Sequence, residues 1–270
     1  MNGQGAMVGG RRVACARMER LTNVAELLDG PLDDPAALDG NLRDLRRINR
    51  WLGGVALSAA AIEAVAAHRV ELTLLDVGTG GADIPAALIE LANQRHRRVH
   101  VVGIDSRPEI LAAALRARPA IATIDGLELH VGDGRRLPFA DRAFDVAHAS
   151  LVLHHLEPPA AVDLLRELGR VARLGVVVND LDRTRIGWIG ACLLGHLLTA
   201  NRYTRHDAPL SVQRAYRPDE MATMLGRAGL RPVRTIRGSF GQRYAIAAVA
   251  PTDAAGDAQD GLPDPLGAGE

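Results

Sequence analysis

Lysine is absent from the 270-residue chain, so all 32 of its basic residues are arginine. That removes Schiff-base chemistry and any phosphate loop built on a lysine. Cysteine is scarce as well. Cys15 and Cys192 are too few and too far apart for a disulfide framework or a thiolate zinc site, which fits a reducing cytoplasm. Neither sign of charge is in excess, because 32 acidic residues balance the arginines. No overall field therefore draws the chain to nucleic acid or to an anionic membrane surface. The longest apolar run, Ile186 to Ala200, contains His196 and is shorter than the roughly 20 residues that a bilayer span needs. It reads as a buried or cap helix, or else as a greasy wall over a lipophilic substrate or a point of membrane contact. Near the N-terminus, Arg11-Arg12 is followed by Val13-Ala14-Cys15-Ala16-Arg17, where charge returns before an export signal can develop.

What is present describes a soluble globular protein. Hydrophobic residues make up 47% and charged residues 24%, and the length suits one large α/β domain with a cap. The Gly-rich segment 1–17 and the Pro-, Asp- and Gly-rich segment 251–270 read as disordered tails around a domain at 18–250. From Pro35 to about Ala67, Leu38, Leu42, Leu45, Ile48, Leu52 and Val55 recur at helical spacing, so helices fill 18–69 before the first strand. Five short apolar runs follow at 73–77, 99–104, 127–131, 144–149 and 174–178, separated by helical stretches at 84–94, 108–117 and 159–171. This alternation predicts a Rossmann-like, doubly wound parallel sheet. An insertion at 182–217 reads as a substrate cap, ending in the polar stretch Asn201 to Arg217. Beyond it come a helix over 218–228, with Gly229 as its stop, and an antiparallel hairpin of 231–236 and 244–249. The expected fold is thus a seven-stranded α/β sheet, mostly parallel, with N-terminal helices and a helical cap.

The most informative motif lies where the first strand gives way to a helix, at Asp76-Val77-Gly78-Thr79-Gly80-Gly81-Ala82-Asp83. Glycines there permit a tight turn and let a ligand approach the backbone. In a dinucleotide fingerprint a third glycine would fall at position 83, which is Asp83 here. A carboxylate there repels a diphosphate but accepts hydrogen bonds from a cationic amino group. Asp105 ends the second strand, where its two oxygens can accept from two ribose hydroxyls. Asp133, in Gly132-Asp133-Gly134, follows the third strand and can accept from an exocyclic adenine amine. Ligands of open α/β sheets bind along this edge, and three acids placed there in order favour S-adenosylmethionine over NAD.

From about Leu74 to Val249 this run of motifs resembles the class I S-adenosylmethionine-dependent methyltransferases. The resemblance implies that Asp76 and Gly78, Thr79, Gly80 and Gly81 form the first motif. Asp105 is then the ribose-binding acid with Ser106 beside it, and Asp133 with Gly134 serves the adenine side. The stretch Phe144 to Leu156 is similar to the fourth motif, whose residues after the strand, from Ser150 on, line the methionine end. More narrowly, Asn179-Asp180-Leu181 with Arg183, and later His206 to Val212 with Arg214-Ala215-Tyr216, resemble a bacterial subgroup that tailors polyketide or quinone-like small molecules.

Methyl transfer from a sulfonium needs alignment and the exclusion of water, and a base only where the acceptor holds its proton. His154, His155 and His206 are the candidates for that base, with Asp207 placed to orient His206. Asp180, Arg183, Arg205, Arg214 and Tyr216 are the candidates for holding a small, lipophilic or aromatic acceptor. His68, His96, His100, His130 and His148 lack the spacing of a helical metal pair and read as structural, and no metal is expected. The leading expectation is O-methylation of a phenolic or polyketide-like compound, with C-methylation of a quinone precursor as the rival. An NAD-dependent oxidoreductase and a noncatalytic methyltransferase-like protein are the remote readings.

Overall fold

The computed structural model describes residues 18–66 and 69–250. The expected tails and His68 lie outside the described residues. A single helical turn, Leu27–Asp29, precedes α1 (Pro35–Trp51), which starts where the Asp34 carboxylate accepts from the Ala37 N–H at 2.9 Å and Pro35 takes the first helical position. The Ala-rich α2 (Gly54–Ala66) lies against the sheet, burying Leu57, Ala61 and Ile62. From there strands and helices alternate: β1 (Glu71–Val77), α3 (Asp83–Gln94), β2 (Arg98–Asp105), α4 (Pro108–Ala117), β3 (Leu127–Val131), β4 (Phe144–Ser150), α5 (Pro158–Val171) and β5 (Ala172–Leu181). The cap helices α6 (Arg185–Leu197) and α7 (Arg202–Arg214) follow, then α8 (Pro218–Arg227), β6 (Arg231–Arg237) and β7 (Arg243–Val249).

The seven strands lie in the order β3-β2-β1-β4-β5-β7-β6. The first five are parallel, while β7 runs antiparallel to both β5 and β6. Central strands read as continuous apolar runs because both faces are covered. Leu74, Val101, Val146 and Val177 point to the layer formed by α2 and α3. Their neighbours Leu75, Val102, Ala147 and Val178 point to the layer formed by α5 and α8. Strand order reverses between β1 and β4, which opens a crevice at the C-terminal ends of those strands.

The cap departs from expectation in two ways. The polar stretch after Asn201 is a helix, α7, capped by the Asn201 side chain, which accepts from the Tyr203 and Thr204 N–H groups. Its buried positions include Thr204, Asp207, Ser211 and Arg214, so the inward stripe has helical period but little hydrophobicity. In α6 the buried face is small: Gly187, Ala191 and Gly195 point inward, and the α7 backbone at Arg205 passes close to Gly195. Ile186, Ile189, Leu193 and Leu197 are left facing solvent. Among the described residues no helix is long and apolar enough to cross a membrane.

Candidate cofactor and acceptor sites

After β1 the chain turns through Gly78 at φ +71° and Gly80 at φ +55°, and Ala82 precedes α3 in the left-handed region at φ +50°. The turn is pinned to the neighbouring strand, because the N–H groups of Gly78 and Thr79 both donate to the Ile104 carbonyl, at 2.7 and 3.0 Å. A Cβ on Gly78 would stand 2.3 Å from Val152 Cγ2, so the loop packs directly on the segment after β4. Asp105, buried at the end of β2, accepts from the Gly80 N–H and the Arg107 N–H, each at 3.0 Å. Burial raises its pKa, and these two hydrogen bonds oppose the shift. One backbone donor on each oxygen leaves acceptor capacity for a ligand hydroxyl. Thr79 Oγ1 is buried with no hydrogen-bond partner among the described residues.

Asp83 lies in the first turn of α3 and accepts from Asn49 Nδ2 at 3.0 Å; burial raises its pKa, and the Asn49 bond opposes it. Asp133 is exposed beyond β3 and held down by the Arg135 side chain, which reaches it at 3.0 Å. Ser106 is exposed beside Asp105. Gly134 packs on the end of β1, where a Cβ would stand 2.3 Å from Val77 Cγ1. An orphaned hydroxyl, a glycine turn and spare carboxylate capacity on one strand edge fit an adenosyl group with a cationic amino acid tail.

Under this loop runs a buried polar chain that sequence reasoning did not foresee. His148 is fully buried, with Nδ1 2.6 Å from Asp76 Oδ1 and Nε2 2.8 Å from Ser58 Oγ. One assignment satisfies both contacts: Nδ1–H donates to Asp76 and the Ser58 hydroxyl donates to Nε2. Asn179 Nδ2 then donates to Ser58 Oγ at 2.7 Å. The guanidinium of Arg243 donates to Asn179 Oδ1 and Asn49 Oδ1, each at 2.6 Å, and to Ser150 Oγ at 2.8 Å. Burial pushes the Arg243 pKa down to about 10, opposed by the charges of Asp180 and Asp83. His148, read from sequence as structural, is the link that fixes Asp76 to α2. Its position opposite Asp76 in the β1–β4 register is the only trace of this in the sequence pattern.

A second cluster gathers past the ends of β4 and β5. His154, in the short turn Leu153–His155, brings Nδ1 to 2.7 Å from Asp180 Oδ1, and both residues are buried. His155 Nδ1 lies 3.0 Å from Asp29 Oδ1. The two rings are 4.2 Å apart, and the Nε2 atom of each lies 3.9 Å from a carboxylate oxygen of Glu26. Arg214 Nη1 donates to Asp29 Oδ2 at 2.9 Å and lies 3.5 Å from Glu26 Oε1. Burial raises Glu26 to about 7. Burial would raise Asp29 too, but its hydrogen bonds to His155 and Arg214 hold it well below the usual carboxylate range. At Asp180 the His154 charge and hydrogen bond likewise outweigh burial and lower the pKa.

The remaining candidates lie around this cluster or away from it. Tyr216 donates to the Leu156 carbonyl at 2.7 Å beneath the Arg20 guanidinium, and burial pushes its pKa up to about 12. Arg183 is a buried strut: it donates to the carbonyls of Met18 and Ala215 and to Glu220, which leaves its guanidinium committed within the fold. Arg205 is exposed and donates to the carbonyls of Gly195 and Thr199, tying α7 to α6. Adjacent in sequence, His206 and Asp207 do meet, with Nδ1 2.7 Å from Oδ1, but His206 is exposed. The buried Asp207 carboxylate accepts from the Leu27 and Leu28 N–H groups, at 2.8 and 3.1 Å. That bond fastens the turn carrying Glu26 and Asp29 to α7. Neither acid had a sequence signal, since the segment before Pro35 has no periodicity to mark it.

The sheet order and the antiparallel last strand are those of the Rossmann-like fold of S-adenosylmethionine-dependent methyltransferases. Residues 74–175 match the family model described as a methyltransferase domain. The chain is 32% identical to a demethylmenaquinone methyltransferase of Chlorobaculum parvum over 39% of its own length and 38% of that protein's. To the ubiquinone/menaquinone biosynthesis C-methyltransferase UbiE of Roseobacter denitrificans it is 33% identical, over 40% of this chain and 41% of that one. The chain therefore matches about two fifths of the length of these curated relatives. Among solved structures, an S-adenosylmethionine-dependent methyltransferase from Aquifex aeolicus superposes with a TM-score of 0.56 at 18% identity, covering 80% of this chain and 97% of that one. That last likeness is one of fold.

Proposed function

We propose that the protein transfers the methyl group of S-adenosylmethionine to a ring carbon of a small, lipophilic quinone precursor. The observation that carries the reading is Asp105. Its buried carboxylate closes the glycine turn at the crevice between β1 and β4, and the cluster of Glu26, His154, His155 and Arg214 stands past the next strand ends. S-adenosylmethionine supplies an electrophilic methyl on a sulfonium, so the transfer is an in-line displacement that needs positioning and dryness. Asp105, Thr79 and Asp83 would hold the ribose and the amino acid tail. His154 and His155 would meet the hydroxyl of the acceptor, whose ionisation raises electron density on the adjacent ring carbon.

Carbon is preferred to oxygen because both curated relatives carry quinone-pathway names, one of them specifying C-methylation. The exposed apolar face of α6, on the cap, suits an acceptor of lipid character. The test is incubation of the full chain with S-adenosylmethionine and a reduced, demethylated naphthoquinone, followed by mass spectrometry and NMR of the product. A new methyl on a ring carbon is expected. A methyl on oxygen would restore the O-methylation expected from sequence, and failure to bind adenosylhomocysteine would remove the cofactor assignment.

A further inference from the structure

We propose that Glu26, His154 and His155 form a binding site for one divalent transition-metal ion, with zinc the best match. One ligand atom from each of the three lies within 4.8 Å of the others. The direction of the lone pairs matters more than the proximity. Both imidazoles give Nδ1 to a carboxylate, His154 to Asp180 and His155 to Asp29. With Nδ1–H donating there, each ring is left with a bare Nε2, and both Nε2 atoms face the same carboxylate at 3.9 Å. That spacing is too long for a hydrogen bond. Glu26 itself is only 3% exposed, and its Oε1 has no hydrogen-bond partner among the described residues. Three electron-pair donors thus converge on one largely buried point, where the Arg214 guanidinium, 3.5 Å from Glu26 Oε1, is the charge that faces the carboxylate and neither Nε2 has a hydrogen-bond partner at that point.

The surroundings match a metal site in two further respects. A metal-bound histidine ordinarily donates its other ring N–H to a carboxylate, which fixes the tautomer and makes the ligand more basic; here both histidines do. Charge agrees as well. Glu26, Asp29, Asp180 and the nearby Asp207 outnumber the single Arg214 cation, so the surroundings favour a cation. Two imidazole nitrogens and one carboxylate oxygen form a donor set for zinc or its neighbours, whereas magnesium and calcium prefer oxygen. Bonds of about 2.0–2.1 Å at tetrahedral angles would bring the ligand atoms to about 3.3 Å apart, so the side chains, now within 4.8 Å of one another, must close on the ion. Three protein ligands leave a fourth position open, where an acceptor oxygen could bind. That use of the ion rests on the methyl-transfer reading; the binding itself does not.

The experiment is calorimetric titration of the chelator-treated full chain with zinc sulfate, paired with X-ray absorption of the zinc-loaded protein. One saturable equivalent is expected, with two imidazole nitrogens and carboxylate oxygen around the ion. His155→Ala and the isosteric Glu26→Gln should each weaken binding by at least about 100-fold. Asp29→Asn keeps every ligand and should weaken it about 10–100-fold, and His206→Ala should leave it unchanged. Adenosylhomocysteine binding, measured on each protein, reports folding and tests the cofactor assignment separately. Absence of saturable zinc binding by the wild type overturns the proposal, as does equal binding by folded His155→Ala or a shell of other donors. Either result would mean that protons balance the cluster.

Discussion

Gly78 shows how one residue ties the glycine turn after β1 to the segment after β4. Its φ of +71° penalises any side chain, and a Cβ would run into the branched Val152, which holds the approach to His154 and His155. Gly78→Ala should therefore lower stability by more than about 1 kcal/mol and abolish adenosylhomocysteine binding, read by thermal melting and calorimetry. Gly53 is the control, since it has φ +76° but nothing within 4 Å of an added Cβ. Ala at that position should retain binding, and equal loss at both sites would refute the packing argument. The same scale explains why Arg243 is tolerated in the interior. Its three hydrogen bonds reach Asn179, Asn49 and Ser150, and Gly54 leaves room for it, since a Cβ there would stand 2.7 Å from Nη1. A buried cation of this kind survives only when its donors are satisfied.

Among the elements, legibility followed the chemistry of the buried face. The central strands, α3, α4, α5 and α8 were readable because their inward positions are apolar, and Asp105 and Asp133 were readable because they stand at or just beyond the ends of their strands. The helix α7 was not, because Thr204, Asp207, Ser211 and Arg214 face inward and a hydrophobic period cannot report them. For α6 the hydrophobicity itself misled, since its glycines and Ala191 are buried while Ile186 and Leu197 are exposed. His154, His155 and Asp180 were legible as residues on the sheet edge. Glu26 and Asp29 were not, being brought there by the Asp207 carboxylate rather than by any pattern of their own. The start of α7 is accordingly critical. Asn201 accepts from two N–H groups and donates to the Ala37 carbonyl at 2.6 Å, joining the cap to α1. Asn201→Ala should cost about 1–2 kcal/mol, visible in urea denaturation. Faster amide exchange should extend to Leu27 and Leu28, whereas loss confined to the α7 amides would show that the turn carrying Glu26 is held independently.

For the whole molecule, the sheet carries two groups of polar side chains along one edge, to which the proposed reading gives separate tasks. The half from β3 to β1 carries Asp133, Asp105 and the glycine turn, while the half from β4 to β5 carries Ser150, His154 and Asp180 under the cap. The chain from Asp76 through His148, Ser58 and Asn179 to Arg243 crosses the boundary between the halves and returns through Asn49 to Asp83. A ligand seated at the crevice should therefore stabilise the domain as one unit. At 100 times its dissociation constant, adenosylhomocysteine would add about 2.7 kcal/mol, and at about 2–4 °C per kcal/mol the midpoint should rise by roughly 5–10 °C. NADH should give no shift, because Asp83 stands where a diphosphate would need a small residue. Asp105→Ala should erase the shift while lowering the unliganded midpoint only slightly. The substitution frees two backbone N–H groups, but burial had already disfavoured the carboxylate. A shift that persists undiminished in Asp105→Ala would place the cofactor elsewhere than on the β1–β2 edge.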